Sequence, residues 1–296
     1  MLKLTNVNKS YDDKLVLHDV SLSIEMGTVL GVVGPNGSGK STILRLLAGV
    51  IEADAGLVQI DNQNIFDNAP LQEGIVFLAD DPYFLLQSTL KDMKSFYKKF
   101  YPKFDDLYYT ELVSEFNISE TEKLSNFSKG MKRQATLILA MACKPKILIM
   151  DETFDGLDPL MRFKLKQFII DGISSQDMIV VVSSHALGEI ESICDSIILV
   201  NHKGISISER MDDLFDRYTR FQVVFEEVPP EKLLKRLNAL SIEGNQRIYN
   251  IIMRGDRDAA KAAIDKLEPL IVESTSMTLD EIYRYEVKGD SNEKIL

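Results

Sequence analysis

A glycine-rich segment of eight residues constrains the fold of this chain more than any other feature of its sequence. Residues Gly34–Ser41 read Gly-Pro-Asn-Gly-Ser-Gly-Lys-Ser and follow the apolar run Val29–Val33. Glycines let such a loop curl until successive backbone N–H groups face a phosphate, and the N-terminus of a following helix adds partial positive charge. Apolar spacing from Ile43 to Leu47 supports that helix. The order strand, glycine loop, helix therefore predicts a nucleotide-phosphate site.

Two side chains of this loop have predicted chemical tasks. Lys40 is expected to reach the β and γ phosphates, and the Ser41 hydroxyl is expected to bind Mg²⁺. The predicted phosphate-binding residues are Gly34, Pro35, Asn36, Gly37, Ser38, Gly39, Lys40, Ser41 and Thr42.

A second apolar run ends in two acids, as the other half of such a site requires. Residues Ile147–Met150 are followed by Asp151 and Glu152. In nucleoside triphosphatases with this loop, the first acid holds Mg²⁺ and the second polarises the water that attacks the γ phosphate. We assign Asp151 to the metal and Glu152 to the water. The alternative for such a pair is a core strand that ends in solvated carboxylates.

Between these two segments lies a third one that resembles a known family. Residues Phe127–Gln134 read Phe-Ser-Lys-Gly-Met-Lys-Arg-Gln and precede an apolar helical pattern. The segment resembles the signature of ATP-binding cassette (ABC) ATPases, normally Leu-Ser-Gly-Gly-Gln; Ser128 and Gly130 match, whereas Lys129 and Met131 depart. In that family this helix start contacts the γ phosphate held by the opposite subunit. The resemblance implies that Ser128, Lys129, Gly130 and Met131 act in trans.

Further segments resemble the family in the same order along the chain. Tyr11 resembles the aromatic residue on which adenine stacks. Residues Phe154–Asp158 resemble the D-loop, which implies that Asp158 lies at a dimer seam. His185 follows a predicted strand in the place of the family's switch histidine, and the resemblance implies a contact with the γ phosphate.

One position departs from the family in a way that matters for mechanism. The family normally places a Gln after a strand and shortly before a Pro, but here the strand Ile75–Leu78 is followed by Ala-Asp-Asp-Pro. The aligned residue is Asp80, whose ionised carboxylate cannot donate a hydrogen bond. Asp80 is kept as a candidate site residue near Mg²⁺, and Gln87 is the nearest other Gln.

The resemblance implies an α/β fold, a P-loop NTPase of the ABC cassette type. We expect a mixed sheet core, an antiparallel β flank and a helical subdomain at about 83–143, all within a domain at 1–208. Within 209–290, a linking helix is predicted from Met211 to Tyr218 and a second helix from Pro230 to Ala239. From Phe221 onward the order of predicted elements is β-α-β-β-α-β, which indicates a small ferredoxin-like α+β domain. This accessory domain is interpreted either as a regulatory or dimer-stabilising unit without a ligand or as a small-molecule sensor. Residues 291–296 are expected to be a flexible tail.

Composition excludes several classes of partner and location. A net charge of -11 over 296 residues argues against nucleic acid as the main partner. No apolar run approaches the roughly 20 residues that cross a bilayer, and the first residues do not form a signal peptide. We therefore expect a cytoplasmic chain, peripheral on the inner face of the cell membrane through separate membrane subunits. Cys143 and Cys194 lack metal spacing and are expected to be reduced and buried.

The resemblance implies a motor subunit with MgATP as its substrate. ATP would join two chains head to tail, as a homodimer or as a heterodimer with another ABC ATPase, and hydrolysis would release them. The Ser-Lys-Gly-Met signature resembles that of bacterial proteins that serve drug, antimicrobial-peptide or lipid exporters.

The membrane subunits are expected to dock near residues 80–105. The aromatic side chains of this region either form the docking surface or only pack the helical subdomain; they are Tyr83, Phe84, Phe96, Tyr97, Phe100 and Tyr101. The alternatives are a non-transport ABC ATPase, an importer ATPase with a regulatory domain, or a subunit that binds ATP without hydrolysing it.

Overall fold

Strands and helices alternate along most of the chain. The computed structural model describes residues 1–12, 14–154, 157–175, 178–201, 204–234 and 236–290. The predicted flexible tail at 291–296 lies outside the described residues. The chain divides into two units, Met1–Ser208 and Glu209–Leu296.

The secondary structure of the first unit follows in chain order. The strands are β1 (Leu2–Tyr11), β2 (Lys14–Ile24), β3 (Val29–Val33), β4 (Ala55–Ile60), β5 (Gln63–Asn64), β6 (Ile75–Leu78), β7 (Ile147–Asp151), β8 (Ile179–Ser183), β9 (Ser196–Asn201) and β10 (Gly204–Arg210). The helices are α1 (Lys40–Leu47), α2 (Ala69–Gln72), α3 (Leu90–Phe100), α4 (Asp106–Glu115), α5 (Lys129–Ala142), α6 (Pro159–Ser174) and α7 (Leu187–Ile193).

An antiparallel sheet of four strands has the order β2-β1-β4-β5. Its strands alternate between buried apolar and more exposed side chains, as expected for a sheet with one face on the core. In β1 the side chains of Leu2 and Leu4 are fully buried, and they pair in register with Ile24 and Leu22 of β2. This sheet is the predicted β flank.

The second sheet has the order β10-β9-β3-β8-β7-β6, and its neighbours from β9 to β6 run parallel. Every residue of β3, β7 and β8 is buried, because a parallel sheet is covered on both faces. Register places Asp151 at the end of β7 beside Ser183 at the end of β8. The ends of these strands therefore meet at one edge, where the predicted site residue Asp151 lies.

Helix α1 anchors the glycine loop to the core. Its residues Ile43, Leu44, Leu46 and Leu47 are at most 1% exposed and pack in one apolar cluster with β1, β3, β7 and β8. Burying each such side chain contributes about 1.5–3 kcal/mol before cavity effects. The loop is thus held at its helical end by a rigid core.

A helical region lies between β6 and β7. Helix α3 begins with a capping box in which Thr89 and Asp92 satisfy each other's backbone N–H groups, and α4 begins at the cap residue Asp105. Helix α5 begins after Ser128 and carries a continuous buried stretch from Leu137 to Ala142. The predicted mixed sheet core, β flank and helical region are all present.

The second unit consists of α8 (Met211–Asp216), β11 (Tyr218–Val224), α9 (Glu231–Leu234), β12 (Ser241–Asn245), β13 (Ile248–Arg254), α10 (Arg257–Asp265), β14 (Ile271–Ser276) and α11 (Leu279–Asp290). After α8 the order is β-α-β-β-α-β, and the antiparallel sheet runs β12-β13-β11-β14. This is the ferredoxin-like arrangement that the sequence predicts. Apolar side chains of β11 and β13 pack against α9 and α10.

Two predicted boundaries in this unit are wrong. The linking helix was expected to run from Met211 to Tyr218, but it ends at Asp216 and Tyr218 begins β11, where its side chain is 1% exposed. Burial of the ring in the sheet outweighs its neutral helix propensity. The helix expected at 230–239 ends at Leu234, and Asn238 adopts a left-handed backbone with φ 45°.

Within the described residues, no helix combines the length and the apolar character needed to cross a bilayer.

Candidate active site

The glycine loop joins β3 to α1 and wraps a lysine side chain. Lys40 Nζ donates to the carbonyl oxygens of Gly34 at 2.9 Å and Pro35 at 3.3 Å. Gly39 precedes the helix with φ 106°, and a Cβ there would lie 2.8 Å from Leu17 Cδ2. A side chain at this position would therefore be strained and crowded. The first N–H groups of α1 have no partner within the helix, and Lys40, Ser41 and Thr42 at its start line the groove described next.

An open groove of ≈ 930 Å³ lies over this loop. It is lined by Tyr11, Asp12, Lys14, Val16, Asn36, Gly37, Gly39, Lys40, Ser41, Thr42 and Glu152. Seven of the predicted nucleotide-binding residues and the predicted water-polarising acid thus share one surface. Gly34, Pro35 and Ser38 do not line the groove, and the buried Ser38 hydroxyl has no hydrogen-bond partner within the described part of the chain.

The acid at the end of β7 is buried and held by a neighbouring strand. Asp151 is 5% exposed, and its Oδ1 accepts a hydrogen bond from Ser183 Oγ at 2.7 Å. The Ser183 hydroxyl also accepts from the backbone N–H of Glu152 at 3.1 Å. One serine therefore bonds both to the carboxylate of Asp151 and to the backbone of Glu152.

Glu152 directly follows β7 and has a left-handed backbone. Its φ is 50°, a left-handed value that costs free energy for a residue with a Cβ. Its Oε2 accepts hydrogen bonds from the His185 backbone N–H at 3.0 Å and from His185 Nδ1 at 2.9 Å. The Glu152 side chain is 20% exposed and the His185 side chain 69% exposed. The two predicted catalytic side chains are thus joined at the rim of the groove.

The signature-like segment does not line this groove. Ser128 caps α5, its Oγ accepting from the Met131 backbone N–H at 3.2 Å. Ser128 and Lys129 are exposed, and Gly130 is half-buried. The N-terminus of a helix of 14 residues therefore faces outward, free of the loop of its own chain.

The predicted D-loop ends at a helix cap. Asp158 Oδ1 accepts from the backbone N–H groups of Leu160 and Met161, at 2.9 and 3.0 Å, and these bonds, the Met161 bond foremost, lower the pKa of the Asp158 carboxyl. The other carboxylate oxygen accepts from Gln134 Nε2 of α5. Asp155 and Gly156 of this predicted loop lie outside the described residues.

An aromatic cavity of ≈ 620 Å³ lies in the helical region and contains most of the predicted docking aromatics. We call it the aromatic cavity; its aromatic lining residues are Phe77, Tyr83, Phe96, Tyr97, Phe100 and Tyr101. Tyr83, Phe96 and Phe100 are exposed, whereas Tyr97 and Tyr101 stack with ring centroids 5.6 Å apart. Burial raises the pKa of Tyr97 to about 12, so the phenol is neutral.

Comparison with known proteins agrees with this geometry. The family model described as "ABC transporter" matches residues 17–155. The chain is 29% identical over 283 residues to the ABC transporter ATP-binding protein YtrB of Bacillus subtilis (strain 168), covering 96% of this chain and 97% of YtrB. It is 28% identical over 235 residues to the lantibiotic transport ATP-binding protein SrtF of Streptococcus pyogenes, covering 77% of this chain and 99% of SrtF. A solved ATP-binding subunit of an ABC transporter superposes with a TM-score of 0.67 at 25% identity, over 72% of this chain and 91% of that one.

Residues 17–155 match the ABC transporter family, and the chain is similar along nearly its whole length to an ABC transporter ATP-binding protein. The chain is an ATPase, and its first unit has the P-loop ABC fold.

The ABC cassette also has a donor set suited to Mg²⁺. Within the described residues no group of three or more His, Cys, Asp or Glu side chains could hold a metal by itself. Mg²⁺ bound with a nucleotide needs fewer protein ligands, because phosphate oxygens and water complete its octahedral shell. The oriented carboxylate of Asp151 and the half-buried hydroxyl of Ser41 are the hard oxygen donors that such a site requires.

Three residues of this ABC ATPase were not predicted as site residues. Ser183 orients Asp151, Gln134 bonds to Asp158, and Arg133 forms an ion pair with Asp80 through Nη2 and Oδ1 at 2.8 Å. Ser183 could have been found from its place at the end of the strand before His185. Arg133 and Gln134 follow the signature directly, but only the fold shows which loops they reach.

Proposed function

We propose that this chain is the ATP-hydrolysing motor of an exporter whose membrane-spanning subunits are separate chains. The main observation in support of hydrolysis is the position of the Glu152 carboxylate, which is bonded to His185 at the rim of the groove over the glycine loop. Such a carboxylate lies where a water beside the γ phosphate would lose its proton.

In the proposed reaction, Lys40 and the N–H groups of the loop bind the β and γ phosphates, and adenine stacks on Tyr11. Glu152 takes a proton from water while the water oxygen forms a bond to the γ phosphorus and the bond to the β-phosphate oxygen breaks, which gives ADP and phosphate. His185 fixes the Glu152 carboxylate and contacts the γ phosphate. Mg²⁺, held by Ser41 and Asp151, would neutralise charge on the phosphates.

We propose further that the site is completed by a second cassette, identical or related. The N-terminus of α5 is exposed and lies outside the groove of its own chain. A helix N-terminus with a free Gly130 N–H and a serine hydroxyl suits a phosphate, so Ser128, Lys129, Gly130 and Met131 would close on the γ phosphate of the partner. Asp158 would lie at the seam. ATP then joins the two chains and hydrolysis separates them.

The membrane partner is proposed to dock in the aromatic cavity. Its exposed rings, Phe100 at 54% and Phe96 at 37%, form an apolar surface against which a helical segment of a membrane subunit would pack. The similarity to the lantibiotic transport ATP-binding protein supports export as the proposed direction. The chain would accordingly lie on the cytoplasmic face of the membrane, with residues 1–208 as the motor and 209–290 as an accessory domain.

The test is a purification of the tagged Glu152→Gln chain from detergent-solubilised membranes of its source cell in MgATP, with the wild-type chain in MgADP as reference. We expect stoichiometric recovery of a multi-span protein. Phe100→Asp should abolish this recovery, whereas Leu107→Asp, at an exposed position of α4 outside the cavity lining, should not. Recovery of soluble partners alone would favour a non-transport ABC ATPase and contradict the proposal.

A further inference from the structure

The residue that departs from the family, Asp80, is bonded to the helix that begins at the signature. Arg133 Nη2 donates to Asp80 Oδ1 at 2.8 Å and approaches its backbone oxygen at 3.4 Å. The Arg133 side chain is 5% exposed and the Asp80 side chain 60% exposed. A guanidinium so deeply buried needs a counter-charge, and Asp80 supplies it.

This ion pair joins two elements that each carry part of the reaction site. Asp80 follows β6, and Leu78 of β6 is in register with Met150, the residue before Asp151. Arg133 lies five residues after Ser128, the cap of α5. The pair therefore connects the strand edge that orients the acids with the helix whose N-terminus is proposed to act on the partner's nucleotide.

The next residue of α5 makes a second connection to the same core. Gln134 Nε2 donates to Asp158, which caps α6 at the end of the predicted D-loop. Two consecutive side chains of α5 thus reach two different loops of the catalytic core. Their bonds fix the helix near its start, where a small rotation would displace Ser128 and Gly130.

We propose that Asp80 and Arg133 are positioning residues, which hold the signature end of α5 in the orientation that closes on a second nucleotide site. A carboxylate takes the place of the usual Gln because its partner here is a buried cation. This inference rests on the proposed function, since it concerns the closed pair of cassettes. The pair acts on closure and leaves the binding of ATP to the glycine loop unchanged.

The experiment uses full-length chains in the Glu152→Gln background and compares Asp80→Ala with Asp81→Ala, which removes the neighbouring exposed carboxylate. Binding of a fluorescent ATP analogue to the monomer and ATP-driven dimerisation by light scattering are measured side by side. For Asp80→Ala we expect nucleotide affinity within about twofold of the parent and dimerisation weakened about 10- to 100-fold, the range for a lost charge-assisted hydrogen bond. Asp81→Ala should behave as the parent.

Two further variants guard against a folding defect. Asp80→Asn keeps the shape and loses the charge, so it should weaken dimerisation in the same direction; Asp80→Glu keeps the charge and should restore most of it. In the chain that retains Glu152, Asp80→Ala should lower kcat with little change in KM.

The inference is overturned if Asp80→Ala dimerises like Asp81→Ala, or if it weakens nucleotide binding as much as dimerisation, which would place Asp80 at the nucleotide itself. A parent that fails to dimerise with ATP at all would instead exclude a pair of identical cassettes as the closed form, and it would overturn the inference, which is argued for that pair.

Discussion

The Ser183 hydroxyl donates a hydrogen bond of 2.7 Å to Asp151 Oδ1 across the neighbouring strands β8 and β7. Both residues are at most 5% exposed, so the bond is shielded from water. The same hydroxyl accepts from the Glu152 backbone N–H, which helps to hold the left-handed turn of Glu152. Asp151 is the proposed Mg²⁺ ligand, and a buried hydroxyl bonded to a ligating carboxylate orients that carboxylate.

Replacing Ser183→Ala should therefore weaken Mg²⁺ binding. Loss of a group that orients a ligand lowers metal affinity about 10- to 100-fold. The measurement is the Mg²⁺ concentration that gives half-maximal ATPase activity at saturating ATP. Ser184→Ala is the matched control, because Ser184 is equally buried but its hydroxyl accepts from the Ala186 N–H. Equal Mg²⁺ requirements in both variants would contradict the role of Ser183.

The elements around the site were accessible from sequence because their patterns are local. Glycines between an apolar run and a helix predict the loop at Gly34–Ser41, and an apolar run that ends in acids predicts β7. Alternating strands and helices likewise predict the ferredoxin-like second unit. These features depend on local backbone conformation and on the pattern of buried side chains, and both can be read from short segments of the sequence.

Contacts between distant segments could not be predicted in the same way. Asp80 and Arg133 are 53 residues apart, and Asp151 and Ser183 are 32 apart. Their pairing depends on sheet register and on the packing of α5, which no local pattern specifies. The prediction that the linking helix extends to Tyr218 was wrong for a related reason, because burial of the Tyr218 side chain in the sheet outweighed the helical spacing before it.

Removing the ring of Tyr11 should weaken ATP binding. The side chain is 41% exposed and lines the groove beside the glycine loop. Stacking of a base on an aromatic ring is worth about 1–3 kcal/mol, so Tyr11→Ala should raise the ATP dissociation constant about 5- to 150-fold by calorimetry. Tyr11→Phe keeps the ring and should bind ATP like the wild type; an equal loss in both variants would contradict stacking.

The two thiols should be unreactive in the folded chain. Burial raises the pKa of Cys143 and of Cys194, and the nearby Asp195 carboxylate raises the pKa of Cys194 further. Because the thiolate is the reactive form, a disulfide reagent should label neither residue between about pH 7 and 9 and both after denaturation. Rapid native labelling of either thiol would show that its segment opens easily.

The last helix of the second unit should loosen in acid. Glu281 Oε2 accepts from the Thr278 backbone N–H at 3.0 Å, and the carboxylate also pairs with Arg220. The first bond and then the second lower the pKa of Glu281 below its ordinary value of 4.5. A depressed carboxyl pKa stabilises the fold above the unfolded value, and this stabilisation is lost as the pH falls through the folded value. The protection of α11 should thus decrease below about pH 4.5.

Hydrogen exchange of the full chain tests this expectation. Glu281→Gln keeps an acceptor for the Thr278 N–H but loses the charge that attracts Arg220, so the exchange protection of α11 at neutral pH should fall by about 1 kcal/mol, or about fivefold. Its protection should also vary less with pH between about 4 and 7 than in the wild type. Asp280→Asn removes a neighbouring carboxylate whose ion pair with Arg284 lies on the exposed surface, and it should leave protection nearly unchanged. Equal exchange protection of α11 in the Glu281→Gln and Asp280→Asn variants would show that the contacts of Glu281 with Thr278 and Arg220 do not stabilise this helix.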